Sequence, residues 1–168
     1  MVWIIVEPLI LGAAIGGMAI YTRNSFQKLA LLFFLFFASA GYLGFLTGRW
    51  EWTEILAGHW VSHVIRLLLI GAFLFFSFTE YRPGWGFFSK KAKGMWFLLF
   101  MLFFYTGVQT AAFLSHFLWY GLTLVVFFIG YAAGGYGQFF VQQQFFRVTF
   151  LPFLPPVLLL FFAVILLI

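Results

Sequence analysis

The chain of 168 residues is 65% apolar and 25% aromatic, with 8% charged residues and a mean hydropathy of +1.09. Soluble domains run near half apolar and a quarter charged, so this composition excludes a water-soluble enzyme, a nucleic-acid-binding domain and a disordered tail. The net charge of +5 reflects nine Lys and Arg against four acidic residues, and the absence of cysteine excludes disulfides, thiolate metal sites and a cysteine nucleophile.

In chain order, Met1–Thr22 lacks a basic leader and is too long for the apolar core of a signal peptide, so Val2–Tyr21 reads as a first spanning helix. Five further apolar segments follow: Leu29–Gly48, Gly58–Phe78, Met95–Ala112, Phe117–Tyr136 and Phe146–Ile168. Each approaches the ~20 residues that cross a bilayer. They must be helical, because an open strand edge in lipid leaves backbone groups unpaired. The expected fold is all-α, a polytopic helical membrane bundle of about six transmembrane helices forming one domain over residues 1–168. A five-span reading, with Met95–Tyr136 as one long helix and a surface segment, stays open because Gln109–His116 must supply a turn.

The connections carry the charge. Arg23, Lys28, Arg82, Lys90, Lys91, Lys93 and Arg147 fall on one side of the six-span arrangement, whereas the other side's loops hold Arg49 beside Glu51 and Glu54. The positive-inside rule therefore puts both termini outside and the basic loops in the cytosol, matrix or stroma, with a mitochondrial inner membrane favoured. Trp50, Trp52 and Trp60 at one end and Trp85 and Trp96 at the other fit interfacial aromatic belts. Pro83-Gly84 marks a turn, and Pro152, Pro155 and Pro156 crowd the start of the last helix. Small residues recur four apart at Gly12-Gly16, Ala13-Gly17, Gly44-Gly48 and Gly130-Gly134, a spacing that lets helix backbones approach closely. No internal repeat is visible in the residues. Spans two and six contain no charged residue inside the membrane, and Gln109-Thr110 near the outer turn is the one polar pair of span four, so the sequence reads against a channel or pump built by one copy.

Few ionisable groups lie within the spans, and each is a functional candidate by default. Glu7 sits in the first span. His59, His63 and Arg66 share a face of the third, with Arg66 about 12 Å from its outer end. Depth matching permits a Glu7–His63 or a Glu7–Arg66 pair. Glu7, His59, His63 and Arg66 are the candidate lipid- or quinone-binding residues, since His and Arg donate to a phosphate or carbonyl. His63 with His116 is the candidate haem pair, because imidazoles from two helices can hold an iron axially. A metal site from Glu51, Glu54, His59 and His63 is weighed and not expected. Lys90, Lys91 and Lys93 beside Phe87-Phe88 form a basic-aromatic patch suited to anionic lipid headgroups. No catalytic residue is expected: Ser62-His63 adjacency is not a triad, and no phosphate loop occurs.

The stretch Leu29–Gly137 is similar in layout to the COPI-associated family of Golgi membrane proteins. A spanning helix ends in an acidic residue (LFFSFTEYRPG, Glu80), a basic loop reaches a glycine (KKAKG, Gly94), and two close-set helices follow. The resemblance implies a vesicle or Golgi protein without enzymatic activity; the family's Gly-Arg-Gly appears here only as Lys93-Gly94, and the first and last spans have no counterpart. Small loops and a ring-rich exterior lead instead to the expectation of a non-catalytic accessory subunit of a respiratory or photosynthetic complex. Its expected partners are membrane lipids and other transmembrane subunits, with bound phospholipid, and quinone or haem as the candidate cofactors.

Overall fold

The computed structural model describes residues 2–22, 25–50, 59–82, 85–88, 92–113, 117–145 and 150–165. They form an all-α bundle of six helices: α1 (Val2–Ile20), α2 (Phe26–Thr47), α3 (His59–Glu80), α4 (Lys93–Phe113), α5 (Phe117–Gln144) and α6 (Leu154–Ile165). A 3-10 turn, Leu151–Phe153, precedes α6. Helices α2 to α5 are long and apolar enough to cross a membrane, whereas the apolar stretches of α1 and α6 are shorter. The protein is thus a multi-pass membrane bundle. Met95–Tyr136 is two helices rather than one.

Two helix pairs dominate the packing, and both are parallel. Leu9 and Ala13 of α1 meet Gly130 and Gly134 of α5 in the same sequence direction, and Phe104 and Val108 of α4 meet Gly44 and Gly48 of α2 likewise. A methyl group at any of these glycines would strike the partner's backbone carbonyl, so the small residues are what permit the contact. The sequence ends the fifth span at Tyr136, but α5 runs on to Gln144. The glycines at 130, 134 and 135 that resemble breakers are packed against α1 or Phe26.

Neighbouring pairs run antiparallel. Phe34 and Tyr42 of α2 lie against Phe128 and Tyr120 of α5 as tilted ring pairs, so rising numbers on one helix meet falling numbers on the other. Ser62 and Ser77 of α3 bond to Gln109 and Met95 of α4 in the same crossed sense. Between the layers lies a core of fully buried rings; Phe127 lies 4.6 Å from Phe37 and 5.4 Å from Phe103.

These contacts follow an internal pseudo-symmetry. The atoms that meet Gly12 are the Phe127 carbonyl and the Tyr131 amide; those that meet Gly107 are the Gly41 carbonyl and the Phe45 amide. Leu9, Gly12 and Ala13 of α1 thus correspond to Phe104, Gly107 and Val108 of α4. Phe127, Gly130, Tyr131 and Gly134 of α5 correspond to Gly41, Gly44, Phe45 and Gly48 of α2, in one unbroken register. The same exchange carries the Phe34–Phe128 ring pair onto Tyr120–Tyr42. It also carries the packing of α1 on α6 onto that of α4 on α3, while α3 with α6 maps onto itself. Because α1 and α4 run in opposite directions, α1–α3 and α4–α6 are two inverted three-helix halves. The expectation of no internal repeat is corrected. The halves share the positions of their small residues and little else, so the likeness lies in the contacts. Their pseudo-two-fold level falls midway between the Phe34–Phe128 and Tyr42–Tyr120 pairs, near Ala38 and Leu124.

Candidate functional site

Arg66 on α3 is 7% exposed, and its Nη2 lies 2.9 Å from Glu7 Oε2 on α1. The same nitrogen donates to Gln109 Oε1 on α4 at 2.6 Å. Gln109 Nε2 donates in turn to Ser62 Oγ at 2.7 Å, and the Tyr105 hydroxyl donates to the Ser62 carbonyl at 2.9 Å. Of the two pairings considered from depth, the Glu7–Arg66 ion pair is formed. The buried Arg66 Nε has no hydrogen-bond partner among the described residues.

Local sequence explains the assembly. Ser62 and Arg66 stand one turn apart on α3, as do Tyr105 and Gln109 on α4, so each helix turns two polar groups to the same seam. Pro8 follows Glu7 inside α1 and lacks the N–H that would close on the carbonyl of residue 4, so one rung of the helix ladder is missing beside the charge while α1 runs on to Ile20. Extrapolating the α1/α5 and α3/α4 contacts places Glu7 and Arg66 within about one turn of the pseudo-two-fold level. The site joins α1 and α3 of one half to α4 of the other.

The other sequence candidates fall less centrally. His63 is half-buried on α3, one turn from Arg66. His59 opens α3, with its side chain outside the described residues; Glu51, Glu54 and His116 lie outside them too, and with His116 the expected haem pair. No cluster of three or more His, Asp or Glu suited to a metal ion occurs among the described residues. Lys93 opens α4 and is exposed, while Lys90 and Lys91 lie outside the described residues. The patch expected around them is corrected in one respect. Phe87 and Phe88 are buried, Phe87 against Tyr81 and Phe153, Phe88 against Phe33 and Trp96, so the rings serve the core rather than the lipid surface.

The turn that buries them is fastened to the end of α1. Gly86 adopts φ 74°, and a side chain there would strike the carbonyl of Tyr21. Nearby, Gln138 Nε2 donates to the Tyr21 hydroxyl at 2.7 Å and to the Leu151 carbonyl at 3.0 Å. Burial raises the Tyr81 hydroxyl above its ordinary pKa.

Sequence reading missed Gln109 as the hydrogen-bond partner of Arg66, and Ser62 and Tyr105 as the groups linked behind it. Their i, i+4 spacing on two adjacent apolar helices was the available signal. Comparison with known proteins finds no match: no family model, no curated protein and no solved structure is similar to this chain.

Proposed function

We propose that the chain is a membrane carrier that binds a small solute between its two inverted halves and exposes it to each side in turn. The carrying observation is the position of the Glu7–Arg66 pair, at the interface of the halves and close to their pseudo-two-fold level. Inverted three-helix halves with a polar site at the midplane between them are the pattern on which alternating access is built. Energetics support the reading. An ion pair in a low-dielectric interior returns no more than its desolvation costs, so well-packed apolar residues would hold α1 to α3 at least as well. Its presence favours a use beyond adhesion. The positive-inside rule puts the end bearing Lys28, Arg82 and Lys93 on the inner face.

Flux into proteoliposomes tests this. Full-length protein in neutral lipid should accumulate at least one solute from a labelled set of small neutral, anionic and cationic metabolites, saturably and above protein-free vesicles. Saturable flux of none of them, from protein shown to be folded, overturns the carrier reading.

A second reading is a non-catalytic accessory subunit of a larger respiratory or photosynthetic complex, contacting lipid or quinone through its apolar faces. It is favoured by exposed apolar side chains such as Leu118 and Trp60, and by Arg66 having its observed contacts inside the chain. Native electrophoresis of the gently extracted protein distinguishes the two: a subunit migrates with companions, a carrier as one or a few copies of itself.

A further inference from the structure

The carrier reading leaves the solute's chemistry open, and the charges at the site narrow it. Arg66 and Glu7 are the charged residues in the interior of the described bundle; Lys28, Glu80 and Lys93 stand at helix ends. A guanidinium holds its charge at every accessible pH, whereas a carboxylate can be neutralised by a proton. The interior therefore contains one permanent cation and one carboxylate that can be switched off.

We infer that the Arg66 seat takes a small monocarboxylate together with one proton, an inference that rests on the carrier reading. In the structure the seat is filled by Glu7, whose Oε2 lies 2.9 Å from Nη2 as its ion-pair partner. When Glu7 binds a proton it becomes a neutral carboxylic acid and loses its hold on Arg66. The solute's carboxylate takes its place, and the unused Nε–H supplies the second donor of a bidentate contact. Glu7⁻ with Arg66⁺ and Glu7-H with Arg66⁺ and a monoanion both carry zero net charge. The loaded and empty sites are thus equally acceptable to the membrane interior, while a dianion or a cation would leave a charge unbalanced. Gln109 remains on Arg66 in both states and keeps the guanidinium oriented, itself fixed by Ser62.

Few titratable groups stand near Glu7 among the described residues. Arg66 and Tyr105 face it from α3 and α4, and His63 lies one turn away on α3. On α5 the hydroxyls of Tyr120 and Tyr131 donate to carbonyls of α2, and on α2 the titratable groups Lys28 and Tyr42 lie away toward its start and its far end. The described part of α6 contains no titratable residue.

The test uses the full-length chain in proteoliposomes, with labelled lactate as probe and a pH dye inside. Lactate should enter down an inward proton gradient with one proton per molecule, unchanged when potassium and valinomycin clamp the voltage. Its apparent affinity should fall roughly tenfold for each unit rise in pH, as one-proton coupling requires. Glu7→Gln should still bind lactate, seen as a thermal shift, with that pH dependence lost. Arg66→Leu should not bind it, and because that variant leaves a buried carboxylate alone, Glu7→Gln carries the decision if it fails to fold. Transport of a neutral or cationic solute but not of lactate overturns this inference and leaves the carrier reading standing. Lactate entry without protons, or with net charge, also overturns it. Flux of nothing overturns both.

Discussion

Gly12 and Gly107 are equivalent residues in opposite halves of the bundle. A Cβ at either would lie 2.9 Å from a backbone amide of the parallel helix, that of Tyr131 for Gly12 and that of Phe45 for Gly107. Helices packed backbone to backbone cannot absorb a methyl group by moving one side chain. Gly12→Ala and Gly107→Ala should therefore each lower stability, by about 1–3 kcal/mol. Gly71 and Gly121 have nothing within 4 Å of such a methyl, and their Ala variants should be neutral or slightly stabilising. Thermal unfolding in detergent checks all four, and equal losses for the first two support their equivalence.

The charged pair yields a double-mutant test. Arg66→Leu leaves Glu7 buried with its cation gone, an expected loss of about 3–5 kcal/mol. Glu7→Leu combined with Arg66→Leu removes both charges and should recover most of that loss. The recovered protein should still lack lactate binding. A double variant as unstable as the single one would mean that the pair is needed for the fold itself.

Burying Phe87 makes the α3–α4 turn part of the core. Phe87→Ala should cost about 3–5 kcal/mol, as deletion of a buried ring does. Lys93→Ala, at an exposed position a few residues on, should stay within about 0.5 kcal/mol of the parent. Denaturation curves distinguish this from a turn that only touches lipid headgroups, for which the two variants would be alike.

Tyr81 sets an alkaline limit. Burial raises its pKa above the ordinary 10.0, so the neutral form is favoured by folding. Its contribution is complete below about pH 10 and is lost as the pH rises through the folded value. Thermal midpoints measured from neutral pH upward should fall off at high pH, and less steeply in Tyr81→Phe, which keeps the ring contacts to Phe87 and Phe153.

Much of the fold was legible because lipid leaves the backbone few choices: a run such as Leu31–Phe37 can only be a helix, and its length gives the span. The small residues at Gly12, Gly16, Gly130 and Gly134 were legible as contact positions, but not which helix each would meet. Spacing fixes a face; the partner depends on topology. The inverted repeat stayed hidden for the same reason, since Gly12 and Gly107 are equivalent only through Tyr131 and Phe45. The layout resemblance over Leu29–Gly137 leaves out α1, and with it one of the two main seams. At the site, the depth of Glu7 and Arg66 was readable from residue counting, whereas Gln109 appeared only as a polar residue near a turn. Phe87 and Phe88 looked superficial because lysines follow them.

Opposed orientation of the two halves underlies the midplane position of Glu7 and Arg66, and the cysteine-free chain lets it be measured directly. Single cysteines at Ser25, in the first turn of one half, and at Phe117, in the matching turn of the other, can be labelled with a membrane-impermeant maleimide in sealed, oriented vesicles. Ser25→Cys should react from the same face as Lys93→Cys, and Phe117→Cys only from the opposite face. Reaction of Ser25→Cys and Phe117→Cys from one common face would contradict the inverted arrangement and the site built on it.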